Sequence, residues 1–192
     1  MLNHHFFGIA APTLSVIAFI PYIWAIFKKE TKPSGASWWT WSFLNFIAFV
    51  SGAYAGAPWQ VLILPAWLCV SELGVAVLSI THGDNNWDIW NKLCVAGACI
   101  GIGLWFLTGE PIIALIISIV ADLFASIPNF RHIWDRPGEE DRLGWTLGWG
   151  SAVLEICAIS RWSFAESGWA VYFLINMTIT LFLIYRHGFK KS

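Results

Sequence analysis

Residues 122–142 read DLFASIPNFRHIWDRPGEEDR and run on into Leu143-Gly144-Trp145. An apolar helix carrying an acid, Asp122, reaches Pro128-Asn129, meets Arg131, Trp134 and Arg136, and breaks at Pro137-Gly138. The same order occurs earlier in the chain. Ile20-Pro21-Tyr22 is followed by Trp24, by Lys28-Lys29-Glu30, by Lys32-Pro33-Ser34-Gly35 and then by Trp38. Pro21 and Pro128 are 107 positions apart, and so are Trp38 and Trp145. A helix with a proline near its end, a basic loop broken by Pro and Gly, and a Trp opening the next helix therefore occur twice. Self-similarity at a fixed offset marks an internal repeat.

Of the 192 residues, 57% are hydrophobic and 12% charged. A soluble domain carries about 25% charged residues. The apolar residues fall in long runs separated by short polar breaks, and a bilayer core asks for runs of about 20. These features define an all-α polytopic membrane protein. The net charge of −1 marks no partner beyond the lipid bilayer, and no nucleic acid is expected. The start, Met1-Leu2-Asn3-His4-His5, lacks a basic region, and the first apolar run is long enough to span, so no cleavable signal is expected. Cys69, Cys94, Cys99 and Cys157 all fall in apolar runs without disulfide or metal spacing. They read as small buried residues, and neither a metal nor a cofactor is expected.

Seven spans are expected, at 8–27, 38–55, 59–80, 93–109, 111–130, 145–161 and 169–186. Ten of the 11 Lys and Arg residues then fall on the side holding the first, third and fifth connections and the C-terminus. The positive-inside rule makes that side cytoplasmic, with the N-terminus outside. Trp38, Trp39, Trp87, Trp90, Trp134 and Trp145 lie near one set of ends and Trp59, Trp162 and Trp169 near the other. Indoles prefer that zone, where the ring is apolar and the N–H stays wet. Trp41, Trp67 and Trp149 lie deeper and are candidates for lining a cavity. Spans 1–3 correspond to spans 5–7, with span 4 left as a linker. The expected units are 1–92, 93–109 and 110–192. A single linker helix leaves the two three-helix units parallel, related by an axis along the membrane normal.

This plan resembles the PQ-loop superfamily, which contains the SWEET sugar transporters, cystinosin and the KDEL receptor. The resemblance covers nearly the whole chain: three plus one plus three helices, N-terminus outside, and a proline in the first helix of each unit. The family's Pro-Gln pair stands here as Pro21-Tyr22 and Pro128-Asn129. Spans 2 and 6 lack the prolines that SWEET transporters carry. The stretch Thr31-Lys32-Pro33 through Ser37-Trp38 is similar to bacterial membrane proteins of unknown function, which implies a bacterial inner membrane. SWEET transporters place a substrate-binding asparagine in the last helix, which corresponds to Asn176. Their third-helix asparagine has no counterpart here, where Glu72 stands nearby, and this argues against a neutral sugar.

Ser118, Asp122, Ser126 and Asn129 share one helix face. A carboxylate at mid-membrane costs about 2.5–3.5 kcal/mol on insertion scales, so Asp122 reads as a proton site, a ligand anchor or helix–helix glue. Glu155 and Glu72 are further acids within spans, and no span centre holds a lysine to pair with them. Tyr172, Asn176 and Thr180 form a polar stripe on span 7, and Ser42 and Asn45 share a face of span 2 with Trp38 and Trp41. Asparagine both donates and accepts, which suits a polar ligand and equally suits interhelical bonding. Pro21 and Pro128 each remove a backbone hydrogen bond and read as hinges or static kinks. Gly97 and Gly101 give span 4 a small-residue face for packing or a homo-oligomer. Glu139-Glu140-Asp141 with Arg142 reads as a solvated loop, and no histidine is expected inside the bundle.

The expected function is alternating-access transport of a small polar metabolite, with Asp122, Glu155 and Glu72 as ligand or proton-coupling groups. Asn45, Asn129, Asn176, Tyr172, Trp41 and Trp67 are the expected pocket residues. A membrane receptor or an accessory subunit is the rival. An intramembrane enzyme would need a histidine in the bundle, so no enzyme activity is expected.

Overall fold

The computed structural model describes residues 4–54, 59–84, 89–108, 111–159 and 162–186. These form seven α-helices: α1 His4–Phe27, α2 Gly35–Tyr54, α3 Trp59–His82, α4 Ile89–Thr108, α5 Pro111–Asp135, α6 Arg142–Ala158 and α7 Phe164–Tyr185. A single 3-10 turn, Pro137–Glu139, precedes α6. Within the described residues, Phe6–Phe27, Ile116–Asp135 and Ser167–Tyr185 are long and apolar enough to cross a membrane, and Ala66–His82 is a shorter apolar stretch. The break expected at residue 110 lies outside the described residues.

The packing is inverted relative to a soluble bundle. Ile9, Val70, Ile100, Leu107, Ile175 and Phe182 face outward, while Ser79, Ser126, Asn129, Asn176 and Thr180 are buried. Soluble proteins bury the first kind and expose the second. In an apolar solvent the preference reverses, because polar side chains find hydrogen-bond partners only inside. This arrangement is compatible with a membrane location.

Helix ends extend past the apolar runs because local partners hold them. α5 runs to Asp135 rather than stopping near 130, since the Arg136 N–H still reaches the His132 carbonyl at 2.8 Å. Pro137 then ends it. α6 begins at Arg142, where the Asp141 carboxylate accepts the Gly144 N–H at 2.5 Å as an N-cap. α1 closes with Lys29 in the left-handed region, φ 62°, while the Glu30 and Thr31 N–H groups turn back onto the Ala25 carbonyl. Pro12 and Pro21 sit within α1 and Pro128 within α5, and both helices continue through them.

The helices pair as α1 with α6, α2 with α5, α2 with α3, α6 with α7, α1 with α3, and α5 with α7. α4 lies against α5 and α2. Exchanging α1 with α5, α2 with α6 and α3 with α7 returns the first six pairings unchanged. Two contacts also join residues 107 positions apart. Lys32 Nζ donates to Glu139 Oε1 at 2.6 Å, and the Trp38 and Trp145 rings lie 6.2 Å apart. In a two-fold arrangement, equivalent positions meet only at the axis. Gly97 of α4 faces the Phe124 ring of α5, where an added Cβ would sit at 3.1 Å, so here the small residue serves packing within the chain.

At Gly144, α6 approaches α1 closely. A Cβ there would lie 2.7 Å from Asp141 Oδ2 and 3.0 Å from both the Ala18 carbonyl and Tyr22 Cβ. Gly148, one turn on, has nothing nearer than the Met177 sulfur at 3.8 Å. Gly144→Val is therefore expected to lower stability by about 1–3 kcal/mol through overpacking. Gly148→Ala should leave stability unchanged or raised. Thermal unfolding of the purified protein in detergent checks both.

Candidate functional site

A cavity of about 110 Å³ lies at the centre of the bundle, and every helix except α4 contributes to its described lining. The central turns of α1, α3, α5 and α7 bring Ser15, Glu72, Asp122, Ser126 and Asn176 to it. Towards the end that carries the loops 28–34 and 136–141, Tyr22, Trp38, Trp41 and Trp145 form its floor. Ser15 and Asp122 are also 107 positions apart, and both line this cavity.

Two hydrogen-bond systems hold the polar walls. Tyr172 Oη donates to Asp122 Oδ2 at 2.6 Å, and Asn176 Nδ2 donates to Ser126 Oγ at 2.8 Å and to Tyr172 Oη at 3.0 Å. Across the cavity, Asn45 Nδ2 donates to Glu72 Oε2 at 2.8 Å. The expected polar stripes of spans 5 and 7 thus meet each other, as do Asn45 and Glu72. Spacing on single helices identified each stripe, and the packing of α5 on α7 and α2 on α3 joins them.

The remaining expected residues fall differently. Trp41 lines the cavity, whereas Trp67 is 41% exposed on the outer surface. Trp149 also faces outward and donates through Nε1 to Thr178 Oγ1 at 3.0 Å. Glu155 is half-buried on α6 and takes no part in the described lining. Asn129 is fully buried behind the cavity, with neither side-chain atom hydrogen-bonded among the described residues. Pro21 and Pro128 lie within the C-terminal parts of α1 and α5.

Beneath the floor lies a polar cluster that sequence reasoning assigned to solvent. Glu140 is no solvated loop residue: its side chain is 0% exposed. Its Oε2 accepts hydrogen bonds from Tyr22 Oη at 3.0 Å and Trp145 Nε1 at 2.8 Å. His132 is likewise inside, its side chain 3% exposed, because α5 continues a turn further than its apolar run. His132 Nδ1 lies 3.0 Å from Asp84 Oδ2, and its Nε2 faces Glu140 Oε1 at 3.9 Å. Arg136 Nη1 lies 3.7 Å from Asp84 Oδ2 and 3.6 Å from Glu139 Oε2. The loop backbones add direct bonds, Lys32 N–H to the Glu139 carbonyl at 2.6 Å and Asp84 N–H to the Pro33 carbonyl at 3.0 Å. The available signal was the 107-residue offset itself, which sets the loop holding Glu139 and Glu140 opposite the loop holding Lys32 and Pro33.

No His, Cys, Asp or Glu group with metal-binding geometry occurs among the described residues. The chain matches no protein-family model, no curated protein and no solved structure. The site therefore has to be read from its own geometry.

Burial pushes the Glu140 carboxyl from 4.5 up to about 8, although hydrogen bonds from Trp145 and Tyr22 pull it down. The folded chain then keeps a proton that the unfolded chain releases, so this group's contribution to stability is full below about 4.5 and is lost as pH rises through about 8. Melting temperature measured from pH 5 to pH 8.5 is expected to fall in the wild type. The fall should be shallower in Glu140→Gln, which keeps an acceptor for Tyr22 and Trp145 but cannot ionise.

Proposed function

We propose that the chain is a seven-span membrane transporter, built as two parallel three-helix units joined by α4, that moves a small polar metabolite by alternating access. The paired helix contacts and the two contacts at a 107-residue offset support the repeat. The excess of lysine and arginine on the side of the loops 28–34 and 136–141 supports a cytoplasmic position for that side, with the N-terminus outside. On this reading α1–α3 and α5–α7 are the moving units, and the membrane is a bacterial inner membrane.

One observation carries the proposal: the contacts closing the cytoplasmic end of the cavity run between the two proposed units. Tyr22 bonds Glu140, Lys32 bonds Glu139, Asp84 meets His132, and Trp38 packs on Trp145. Parting the units along this seam opens the polar cavity to the cytoplasm without unfolding any helix. Rigid rocking of repeat units about a central site is how such folds exchange access. Pro21, next to Tyr22, and Pro128, one turn before His132, are the proposed hinges. Asp122, Glu72 and Asn176 are the proposed ligand groups, oriented by Tyr172 and Asn45.

The seam supplies its own test. In a background with the four native cysteines replaced, Lys32→Cys with Glu139→Cys places two thiols on backbones already joined by a hydrogen bond. Oxidation is expected to abolish metabolite flux in proteoliposomes and reduction to restore it. Full flux through the cross-linked protein would sink alternating access at this seam. Ligand binding without flux in the reduced protein would move the reading to a receptor. Asp122→Asn, with the fold intact, is expected to weaken ligand-induced thermal stabilisation by tenfold or more in ligand concentration.

A further inference from the structure

The charge and wall chemistry of the central cavity specify its ligand more narrowly than "polar". Its described lining holds two carboxylates, Glu72 and Asp122, and no lysine, arginine or histidine. Both are held by neutral donors, Glu72 by Asn45 and Asp122 by Tyr172, each on a single oxygen. Glu72 is nine-tenths buried, and its Oε1 meets no donor among the described residues. Asp122 Oδ1 likewise meets no donor among the described residues. Neutral donors orient a carboxyl group without supplying a counter-charge, so in a low-dielectric interior its ionised form is favoured when a cation sits beside it. A ligand bearing positive charge would complete the site.

The rest of the wall is aromatic. Phe19, Tyr22, Trp38, Trp41, Trp145 and Phe173 line the same cavity. Trp38 packs edge-on against Trp41, with centroids 5.2 Å apart, and Tyr22 packs edge-on against Trp145 at 5.9 Å. Crossed rings of this kind turn faces in different directions around one volume. A cation over the face of a Trp or Tyr is attracted by the ring quadrupole, most strongly where water is excluded. Two acids and six aromatic side chains in one lining favour a cation over a neutral sugar, and the acids disfavour an anion. At about 110 Å³ the cavity is smaller than the roughly 300–1,000 Å³ of pockets for drug-sized ligands, so the ligand has few heavy atoms.

We infer that the cavity binds a small organic cation, a primary amine to a quaternary ammonium, between the carboxylates of Glu72 and Asp122 and the aromatic floor. This rests on reading the cavity as the ligand site of the transporter proposed above. Glu72 and Asp122 contact the charged group, Trp38, Trp41 and Trp145 hold its alkyl shell, and Asn45 and Tyr172 act as positioning residues.

The test uses the full chain in nanodiscs and pairs of probes matched in shape and different in charge. Choline is set against its neutral isostere 3,3-dimethylbutan-1-ol, and ethanolammonium against propan-1-ol, with glycolate as the anion. Isothermal titration calorimetry is expected to show each cation binding at least tenfold tighter than its isostere, with no binding of glycolate. Asp122→Asn and Glu72→Gln are each expected to weaken choline tenfold or more. The isostere comparison needs no variant, so a misfolding substitution leaves the test intact. Equal binding of cation and isostere overturns the cation inference and leaves the ligand cavity standing. Flux of a neutral or anionic metabolite, with no cation binding, overturns the inference and keeps the transporter. No binding of any probe together with no flux of any metabolite overturns both.

Discussion

Glu140 sits with its carboxyl group sealed under Tyr22 and Trp145, and the closure of the whole loop end depends on that junction. Tyr22 comes from α1, while Glu140 and Trp145 come from the loop and first turn of α6. The bonds therefore tie the first half of the chain to the second. Each of the three residues also has a second task. The Tyr22 and Trp145 rings form the cavity floor, Trp145 packs on Trp38, and Glu140 Oε1 faces His132. A single buried acceptor thus couples the floor of the cavity to the charged cluster of Lys32, Asp84, His132, Arg136 and Glu139. A buried polar group of this kind is costly when its partners leave, which makes the junction behave as made or broken rather than graded.

The cavity above it follows from the same rule applied in an apolar setting. Polar side chains in long apolar helices bond to neighbouring helices because nothing outside receives them. Asn45 satisfies one oxygen of Glu72, and Tyr172 one oxygen of Asp122. Ser42 reaches the Cys69 carbonyl at 3.2 Å, and Ser151 the Ala11 carbonyl at 2.7 Å. These last two bonds lock helix pairs and use the single donor of each hydroxyl. Glu72 and Asp122 differ, since each keeps an oxygen uncommitted beside the cavity. That difference separates structural polar groups from candidate ligand groups more sharply than residue type does.

The reach of the sequence varied with the kind of constraint. Apolar runs marked all seven helices, because length and hydrophobicity are properties of a single segment. Helix ends were less legible: α5 extends to Asp135 and buries His132, and α6 starts at Arg142 on the Asp141 cap. These ends are set by partners across the bundle rather than by the segment's own hydropathy. For the same reason Trp67, deep in its apolar run, faces outward, while Trp41, about a turn in from the end of its run, faces in. Depth along a helix says nothing about rotation around it.

By itself, then, the sequence determined the helical class, the approximate helix limits, the 107-residue offset and the stripes holding Asp122, Asn176 and Glu72, because each is written in the local order of residues. Only the tertiary structure decided which stripes face one another, that Asn45 meets Glu72 and Tyr172 meets Asp122, and that Glu140 and His132 are interior. Those are facts about distant segments. Helix rotation and the pairing of two loops are chosen by satisfying buried polar groups collectively, and no single stretch of the chain carries that choice.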